Sequence, residues 1–552
     1  MKFAGTDLVV GLSIAGLVLP EAVAYAGIAG VPPLSGLLAA MAGLSCYAVL
    51  GTSRFAIVAA TSSSAAVLAA ALHTLPGVSA EHALALSAAM VVMAGALFLA
   101  CSALRLGRMA QFIARPVVRG FSLGLALVIT LRQIVKLCGI HATHSAFGPL
   151  LVELLQRHAQ WHLAGLGLGA AALGGLLLLQ RWPRVPGTLI VLALGIFVVP
   201  LINARWGAIL GANLGPGGAD IALVGKIDLA GVHPQLPALR MEEWFRAAEL
   251  AVALMLILFA ESFSSVRACA LRHGDTIYVN RELLALGVAN LAAGFLQGVP
   301  VGAGYSGTSA NESLGATSRL AGFAAALFIG AALLFLLPWV AQIPEPVLAA
   351  IVIFAMRHAL RFEPLRPYLL WKRDRIVVAV AVAAVLVLGV LDGLLVAIGT
   401  SLALLIRELT QPRVSILGRL GSGHDFIAIG THPEVQIEPA VLIVRPDEPL
   451  FFANVEAVLD AVTAKFAANP AARTLVLSLE ESPDLDGTAV EVLGQFAQQM
   501  TQRGCTLRLA RLKDSVVEVL TTAALPGLTG SALSSGSVDA VVGSLGSSKS
   551  AP

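Results

Sequence analysis

Two carboxylates stand inside apolar sequence that gives them no local partner. Glu21 follows Pro20 within the run 8–25, and Tyr25 comes four residues later, so a helix would project both from one face. Glu261 lies well inside a second apolar stretch, 247–266, with Glu249 near its opposite end. A charge inside a membrane helix is costly unless it faces a polar cavity or a partner. Glu21 and Glu261 are therefore candidates for carrying a coupling ion, a proton or Na⁺. The competing roles are an interfacial Glu21 near a helix end and a Glu261 that merely accepts from an amide or a serine. Pro20 weighs toward a cavity, because a helix broken beside a carboxylate suits a cavity wall.

Two short segments offer the other half of a site. Ala59-Ala60-Thr61-Ser62-Ser63-Ser64 and Gly302-Ala303-Gly304-Tyr305-Ser306-Gly307-Thr308-Ser309-Ala310-Asn311 both place small hydroxyl residues where a helix would start. Free amides and the positive end of the helix dipole make such a start an anion site without any cationic side chain. Close helix packing through small residues is the alternative. Two such segments in equivalent places favour a paired site.

The elements that must hold these residues follow from composition. Of 552 residues, 57% are hydrophobic and 12% charged, where soluble domains carry about 25% charged residues; the mean hydropathy is +0.85. Disorder, collagen and a secreted disulfide scaffold are excluded, and the abundant Leu, Ala, Val and Gly predict a polytopic helical membrane protein. Apolar segments fall at 8–25, 33–50, 56–72, 83–104, 112–138, 163–180, 187–203, 247–266, 282–297, 306–317, 319–340, 344–360, 376–391 and 393–409. The segments 56–72 and 306–317 are shorter than the roughly 20 residues of a full crossing, as expected of helices broken inside protein. Glu21 and Glu261 then sit on spans one and eight of fourteen, equivalent places in two repeats. With a cytoplasmic N-terminus, seventeen Lys/Arg fall on inner loops and seven on outer ones, which obeys the positive-inside rule and puts the C-terminus inside as well. The Gly/Pro-rich stretch 211–237 reads as an outer loop.

Other chemistries find no support. There is no Gly-Lys-Ser/Thr phosphate loop, no His-Glu-x-x-His pair and no arguable Ser/His/Asp set, so the chain is not read as an enzyme. The five cysteines are scattered and read as buried thiols without metal or redox function. A net charge of +3 gives no case for nucleic acid. That net value hides an asymmetry: from Gln411 onward there are ten Lys/Arg against fifteen Asp/Glu.

The tail accordingly reads as a separate, acidic, soluble domain. Strands are predicted at 441–445, 474–479 and 506–509, with helices at 455–466 and 488–501, a small α/β unit. The expected boundaries are a membrane domain 1–410, a linker 411–434, the α/β domain 435–530 and a disordered Gly/Ser/Ala tail 531–552.

In order along the chain, these motifs resemble the sulfate permease (SulP) family of anion transporters. Asp7-Leu-Val-Val-Gly11, Leu19-Pro20-Glu21-Ala-Val-Ala-Tyr25 and Gly30-Val-Pro32-Pro33 are similar to its first two spans, and Gly51-Thr-Ser-Arg54 to the entry of its third. Glu261-Ser262 through Arg267-Ala268 and Asn280-Arg-Glu-Leu-Leu-Ala-Leu-Gly287, on to Asn311, is the most specific stretch. Leu450-Phe-Phe-Ala-Asn454, Leu477-Ser-Leu-Glu480 and Asp484-Leu-Asp486-Gly-Thr488 resemble a STAS domain.

The resemblance implies an all-α membrane domain of fourteen segments in a seven-plus-seven inverted repeat, with a core moving against a gate, followed by the α/β STAS domain and assembled as a homodimer. It places binding positions on Glu21, Tyr25, Ser306, Gly307 and Glu261. With the hydroxyl-bearing helix starts, the candidate substrate site is Glu21, Tyr25, Thr61, Ser62, Tyr305, Ser306, Gly307 and Thr308. The coupling ion belongs at Glu261 and Glu21, and Na⁺, if it is that ion, near Glu261 and Thr308. Three positions depart from the family pattern: Glu21 stands where Gln is common, Gly307 where Arg is frequent, and Ala59-Ala60 where Gly-Pro is usual. The pocket loses a fixed cation and gains a carboxylate, a conflict that a bound proton or Na⁺ resolves.

The expectation is thus a secondary active transporter of a small anion (bicarbonate, sulfate or a small carboxylate) in the inner membrane, driven by H⁺ or Na⁺ through elevator-like alternating access, with no cofactor. A nucleobase-type symporter and a membrane-anchored STAS signalling protein with a vestigial transport domain are the alternatives; an ungated anion channel is a third. Thr488 is the regulatory candidate, as the hydroxyl of an Asp-Gly-Thr turn at a helix start. Its acidic surroundings favour a capping role over a phosphorylation switch, and the domain is expected to serve stability and assembly.

Overall fold

Where no water can satisfy the backbone, apolar Leu/Ala/Val stretches must close their hydrogen bonds internally as helices. The computed structural model puts helices on all fourteen expected segments. It describes residues 5–73, 80–107, 114–140, 142, 144, 146–182, 187–210, 221–225, 234, 236–357, 359–429, 432, 435–438 and 440–547. Most of the expected 211–237 loop lies outside these. The chain forms two compact units, Met1–Ser401 and Leu402–Pro552.

The first half of the helical unit runs α1 (Gly5–Ala29), α2 (Pro33–Leu50), strand β1 (Val58–Ala60), α3 (Ser62–His73), α4 (Ala80–Ala103), α5 (Arg115–Leu137), α6 (Phe147–Gln156), α7 (Leu163–Leu179) and α8 (Gly187–Leu210). The second half runs α9 (Met241–His273), α10 (Val279–Phe295), strand β2 (Val301–Ala303), α11 (Tyr305–Ser313), α12 (Leu320–Phe335), α13 (Leu337–Val340), α14 (Glu345–Met356), α15 (Arg366–Leu370), α16 (Lys372–Leu388) and α17 (Val390–Leu409). Among the described residues, five helices are long and apolar enough to cross a membrane by themselves, α1, α2, α4, α5 and α9.

The repeat is visible in which helices touch. With α6, α13 and α15 set aside as connectors, the spans count from one to fourteen, β1–α3 being the third and β2–α11 the tenth. Moving seven spans along the chain then converts one packed pair into another. Span four packs on nine and eleven on two; one on eleven and eight on four; three on eight and ten on one; five on thirteen and twelve on six. Strands β1 and β2 pair antiparallel, Val58 opposite Ala303 and Ala60 opposite Val301, so the equivalent elements run in opposite senses. The helices fall into two sets: α1–α4 pack with α9–α12, while α5, α7, α8, α14 and α16 pack with one another. Inside the first set α4 and α10 cross closely, because a Cβ on Gly95 would stand 2.7 Å from the Leu291 amide nitrogen.

The second unit holds a sheet in the order β4-β3-β6-β7-β8, built from Val414–Leu420 (β3), Phe426–Ala428 (β4), Val441–Pro446 (β6), Thr474–Ser478 (β7) and Thr506–Ala510 (β8); Val435–Gln436 (β5) also pairs with β3. β3 and β6 are antiparallel, whereas β6–β7 and β7–β8 are parallel and connected through α18 (Val455–Ala467) and α19 (Gly487–Gln502). Alternation sorts the faces: Leu442, Val444, Leu475 and Leu477 join one core with residues of α18, α19 and α20 (Asp514–Ala523), while Ile443 and Val476 join the other.

Two expectations for the tail are corrected here. The segment 411–434, expected as a linker, supplies β3 and β4, with Ser415 opposite Arg445 and Leu417 opposite Ile443. Its glycines and Pro412 look like loop chemistry, but non-local pairing with β6 decides the outcome. The segment 531–552, expected to be disordered, contains α21 (Val538–Ser547). Val538, Val541, Val542 and Leu545 recur at helical spacing and pack on Ile443 and Val476.

Candidate functional site

The paired strands present two helix starts. β1 ends at Ala60 and α3 begins at Ser62; β2 ends at Ala303 and α11 begins at Tyr305. Antiparallel pairing brings these starts together, to the point that a Cβ on Gly304 would stand 3.3 Å from Thr61 Cγ2. Two three-residue strands leave backbone groups facing away from each other, and buried ones need partners. Side chains supply them. Asn290 of α10 donates to the Val301 carbonyl at 2.9 Å and accepts from its amide at 3.0 Å. Ser262 of α9 accepts from the Ala303 amide at 2.8 Å, and Ser265 donates to the Ala303 carbonyl at 2.6 Å. Ser64 donates to Pro300 O at 3.0 Å, and Asn311 donates to Phe55 O at 3.0 Å.

A cavity of about 530 Å³ opens in front of the helix starts, a size suited to a small ligand with some water. Glu21, Tyr25, Thr61, Ser62, Glu261, Tyr305, Ser306 and Gly307 all line it. Glu21 and Tyr25 are buried one turn apart on α1, next to Pro20. Glu21 forms no hydrogen bond or ion pair with any other described residue. Glu261 is engaged: it accepts from Thr61 Oγ1 at 3.0 Å and from Ser63 Oγ, which pins α9 to the start of α3. Gly307 is buried and faces Ile57, whose Cγ2 would lie 3.1 Å from an added Cβ.

Thr308 departs from the expected arrangement. It is buried and does not line the cavity; its Oγ1 accepts from the Ile57 amide at 3.3 Å. In the helical register Thr308 follows Gly307 by about 100°, enough to turn it from the cavity into the protein. Thr488 belongs to the second unit, exposed in the first turn of α19. The cap there is Asp486, whose carboxylate accepts from Ala489 N at 2.8 Å and Phe452 N at 2.7 Å.

Several functional positions escape a reading from sequence. Ser63 sits in the hydroxyl run Thr61-Ser62-Ser63-Ser64, which carries no sign of which member turns toward α9. Ser262, Ser265 and Asn290 act on the β2 backbone, and only the polar run Glu261-Ser262-Phe263-Ser264-Ser265 inside an apolar span hints at it. The arginines Arg115, Arg119, Arg267 and Arg361, which in sequence are only loop charges, line the same cavity.

The family model described as the sulfate permease family matches residues 5–384, and that of the STAS domain matches residues 432–529. A probable sulfate transporter of Mycobacterium tuberculosis is 29% identical over 94% of this chain and 91% of its own length. Sulfate transporter 4.1 of Arabidopsis thaliana, chloroplastic, is 27% identical over 91% of this chain and 74% of its own. Among solved structures, murine solute carrier 26 family member A9, an anion transporter in the inward-facing state, superposes with a TM-score of 0.87 at 20% identity, covering 99% of this chain and 92% of that one. The transmembrane domain of a cyanobacterial bicarbonate transporter, BicA, reaches 0.61 at 23% identity, covering 72% of this chain and 97% of that one.

Proposed function

The chain belongs to the sulfate permease family, and on that premise we propose that it is a secondary active transporter of a small anion, driven by cotransported H⁺ or Na⁺. The anion is inorganic, such as sulfate or bicarbonate, or a small carboxylate; relatives bear the names of sulfate transporters and of a bicarbonate transporter. One observation carries the coupling: two helix starts that attract an anion share a cavity with Glu21 and Glu261, and among the described residues Glu21 has no partner to neutralise it. A substrate anion entering beside an unpaired carboxylate needs a cation to come with it.

The cavity is lined by both helix sets, α1, α3, α9 and α11 from one and α5, the end of α14 and the residues following it from the other. Movement of one set against the other would carry the helix starts between the two sides of the membrane, the alternating access of an elevator. We assign the protein to the inner membrane with both termini cytoplasmic, from the distribution of Lys and Arg, and read the assembly as a homodimer. The polar cavity disfavours a vestigial membrane anchor, since Glu21, Thr61, Ser306 and Glu261 would have no reason to persist together facing a void.

The test is uptake into proteoliposomes of radiolabelled sulfate, bicarbonate, succinate, chloride and uracil, with imposed pH and Na⁺ gradients. Uptake of at least one anion, accelerated by an inward gradient of one cation, is expected. Uptake of uracil alone, or anion flux indifferent to both gradients, refutes the reading.

A further inference from the structure

The cavity's carboxylates and arginines differ in exposure. Glu21 is buried and Glu261 half-buried, and Arg115, Arg119, Arg267 and Arg361 line the same cavity. Arg115 and Arg119 occupy the opening turns of α5, Arg267 falls within two turns of the end of α9, and Arg361 follows α14 in the connecting loop. All four are exposed. Among the described residues none of them is ion-paired with a carboxylate, although Glu363 lines the same cavity. Arg267 stands 5.9 Å from the ring centroid of Phe263, which also lines the cavity. One residue past the lining Met356, Arg357 keeps Nε and Nη1 buried without hydrogen-bond partners.

Arginines gathered at one concave mouth repel one another and are usually matched by carboxylates. Here, beyond Glu21 and Glu261, the described lining holds one carboxylate, Glu363, against four arginines, and guanidinium groups gathered in a cleft attract anions and focus them inward. We propose that Arg115, Arg119, Arg267 and Arg361 form a second, outer anion site at the mouth of the cavity, which takes up the transported anion before it reaches the helix starts. The inference rests on the reading of the substrate as an anion. It supplies the fixed positive charge that Gly307 leaves out of the inner site, and separates it from the carboxylates that carry the coupling ion. An anion is thus collected by arginines and then transferred to backbone amides once the carboxylates are neutralised.

Equilibrium binding to the purified full-length protein in detergent tests this, because both sides of the protein are accessible and membrane orientation drops out. The probes are radiolabelled sulfate, bicarbonate and succinate, measured from low to high ionic strength set with potassium gluconate. For the probe that binds, wild-type affinity should fall steeply with salt. The double variant Arg119→Gln/Arg361→Gln should bind about fivefold more weakly at low salt, with a flattened salt dependence that meets the wild type at high salt. Arg119→Lys/Arg361→Lys should recover most of the loss, which separates charge from damage to the fold. A Gln variant that elutes as folded protein and keeps wild-type affinity and salt dependence overturns the outer site while leaving the transport reading intact. If the wild type binds none of the three anions, the transport reading fails and the outer site with it.

Discussion

Glu261→Gln should uncouple transport without unfolding the protein. The glutamine keeps an oxygen for Thr61 and Ser63, which both donate to Oε2 of the wild-type carboxylate, but it cannot carry a proton or balance Na⁺. A hydroxyl bond to a charged acceptor contributes ~1.5–3 kcal/mol and one to a neutral acceptor ~0.5–1.5 kcal/mol. Weakening two such bonds therefore costs about 2 kcal/mol, which a stability of ~5–15 kcal/mol tolerates. The transport consequence is larger. With one coupling cation per anion, each tenfold gradient of that cation supplies about 1.4 kcal/mol and sustains about a tenfold accumulation of substrate. The assay is the steady-state accumulation ratio of tracer anion in proteoliposomes, with the membrane potential clamped and either the pH or the Na⁺ gradient varied. The wild type should accumulate in proportion to one gradient, whereas Glu261→Gln should stay near a ratio of one while retaining anion exchange. A variant that still accumulates in proportion to the gradient refutes the assignment of the coupling ion to Glu261.

Gly307→Arg should bring a fixed cation into the cavity beside Glu21, after Ile57 yields to the added Cβ at 3.1 Å, and shift the protein toward uncoupled uniport or exchange; unchanged ion dependence and affinity in flux measurements would exclude position 307 from the substrate's path. Asn290→Ala leaves the buried Val301 amide and carbonyl without the partners they have at 3.0 and 2.9 Å, a loss of roughly 2–5 kcal/mol; the melting temperature in detergent should drop and transport fall with it, and an unaltered melting temperature counts against the role given to Asn290. In the second unit, hydrogen bonds from Arg419 and then His424 hold the Asp539 carboxyl below its usual range. Such a group stabilises the folded state above its unfolded pKa near 3.8, and the contribution disappears as the pH falls through the lower folded value. Asp539→Asn should therefore speed hydrogen exchange in α21 at neutral pH, with the difference from wild type shrinking below about pH 4; a difference that persists in acid contradicts this.

The fourteen segments were legible because a membrane span is a local property of composition and length. The pairing of β1 with β2 was not, since Val58–Ala60 and Val301–Ala303 are three-residue strands whose partners lie far away in the chain. Glu21 and Glu261 stood out as charges in apolar sequence, and the helix starts as hydroxyl-rich breaks. Thr308 was misplaced because adjacent residues on a helix point about 100° apart, and one sequence does not say which of them faces the cavity. Asn290, Ser262 and Ser265 were passed over for a related reason. Their task is to satisfy backbone groups on β2, and those groups become orphans only once the strand exists. In the tail, β3 was hidden by Gly418 and Pro412, whereas the apolar stripe of α21 was present in the sequence and outweighed by its Gly/Ser composition.

The inverted repeat also bears on how many cations must move. Each helix start contributes about half a positive charge, so the pair offers about one, enough for a univalent anion. Glu21 and Glu261 are two carboxylates facing the same space, and either one left charged would cancel that attraction. Thr61 and Ser63 donate to Glu261, while Glu21 lacks such donors among the described residues. Under the proposed coupling, the cotransported cation therefore has both carboxylates to balance, Glu261 with hydroxyl donors and Glu21 without them. Span eight also fixes the start of α3 through the bonds from Thr61 and Ser63, a task with no counterpart at Glu21 among the described residues. The repeat thus sets one carboxylate on each of two equivalent spans, and both line the cavity in which the proposed coupling cation would be bound.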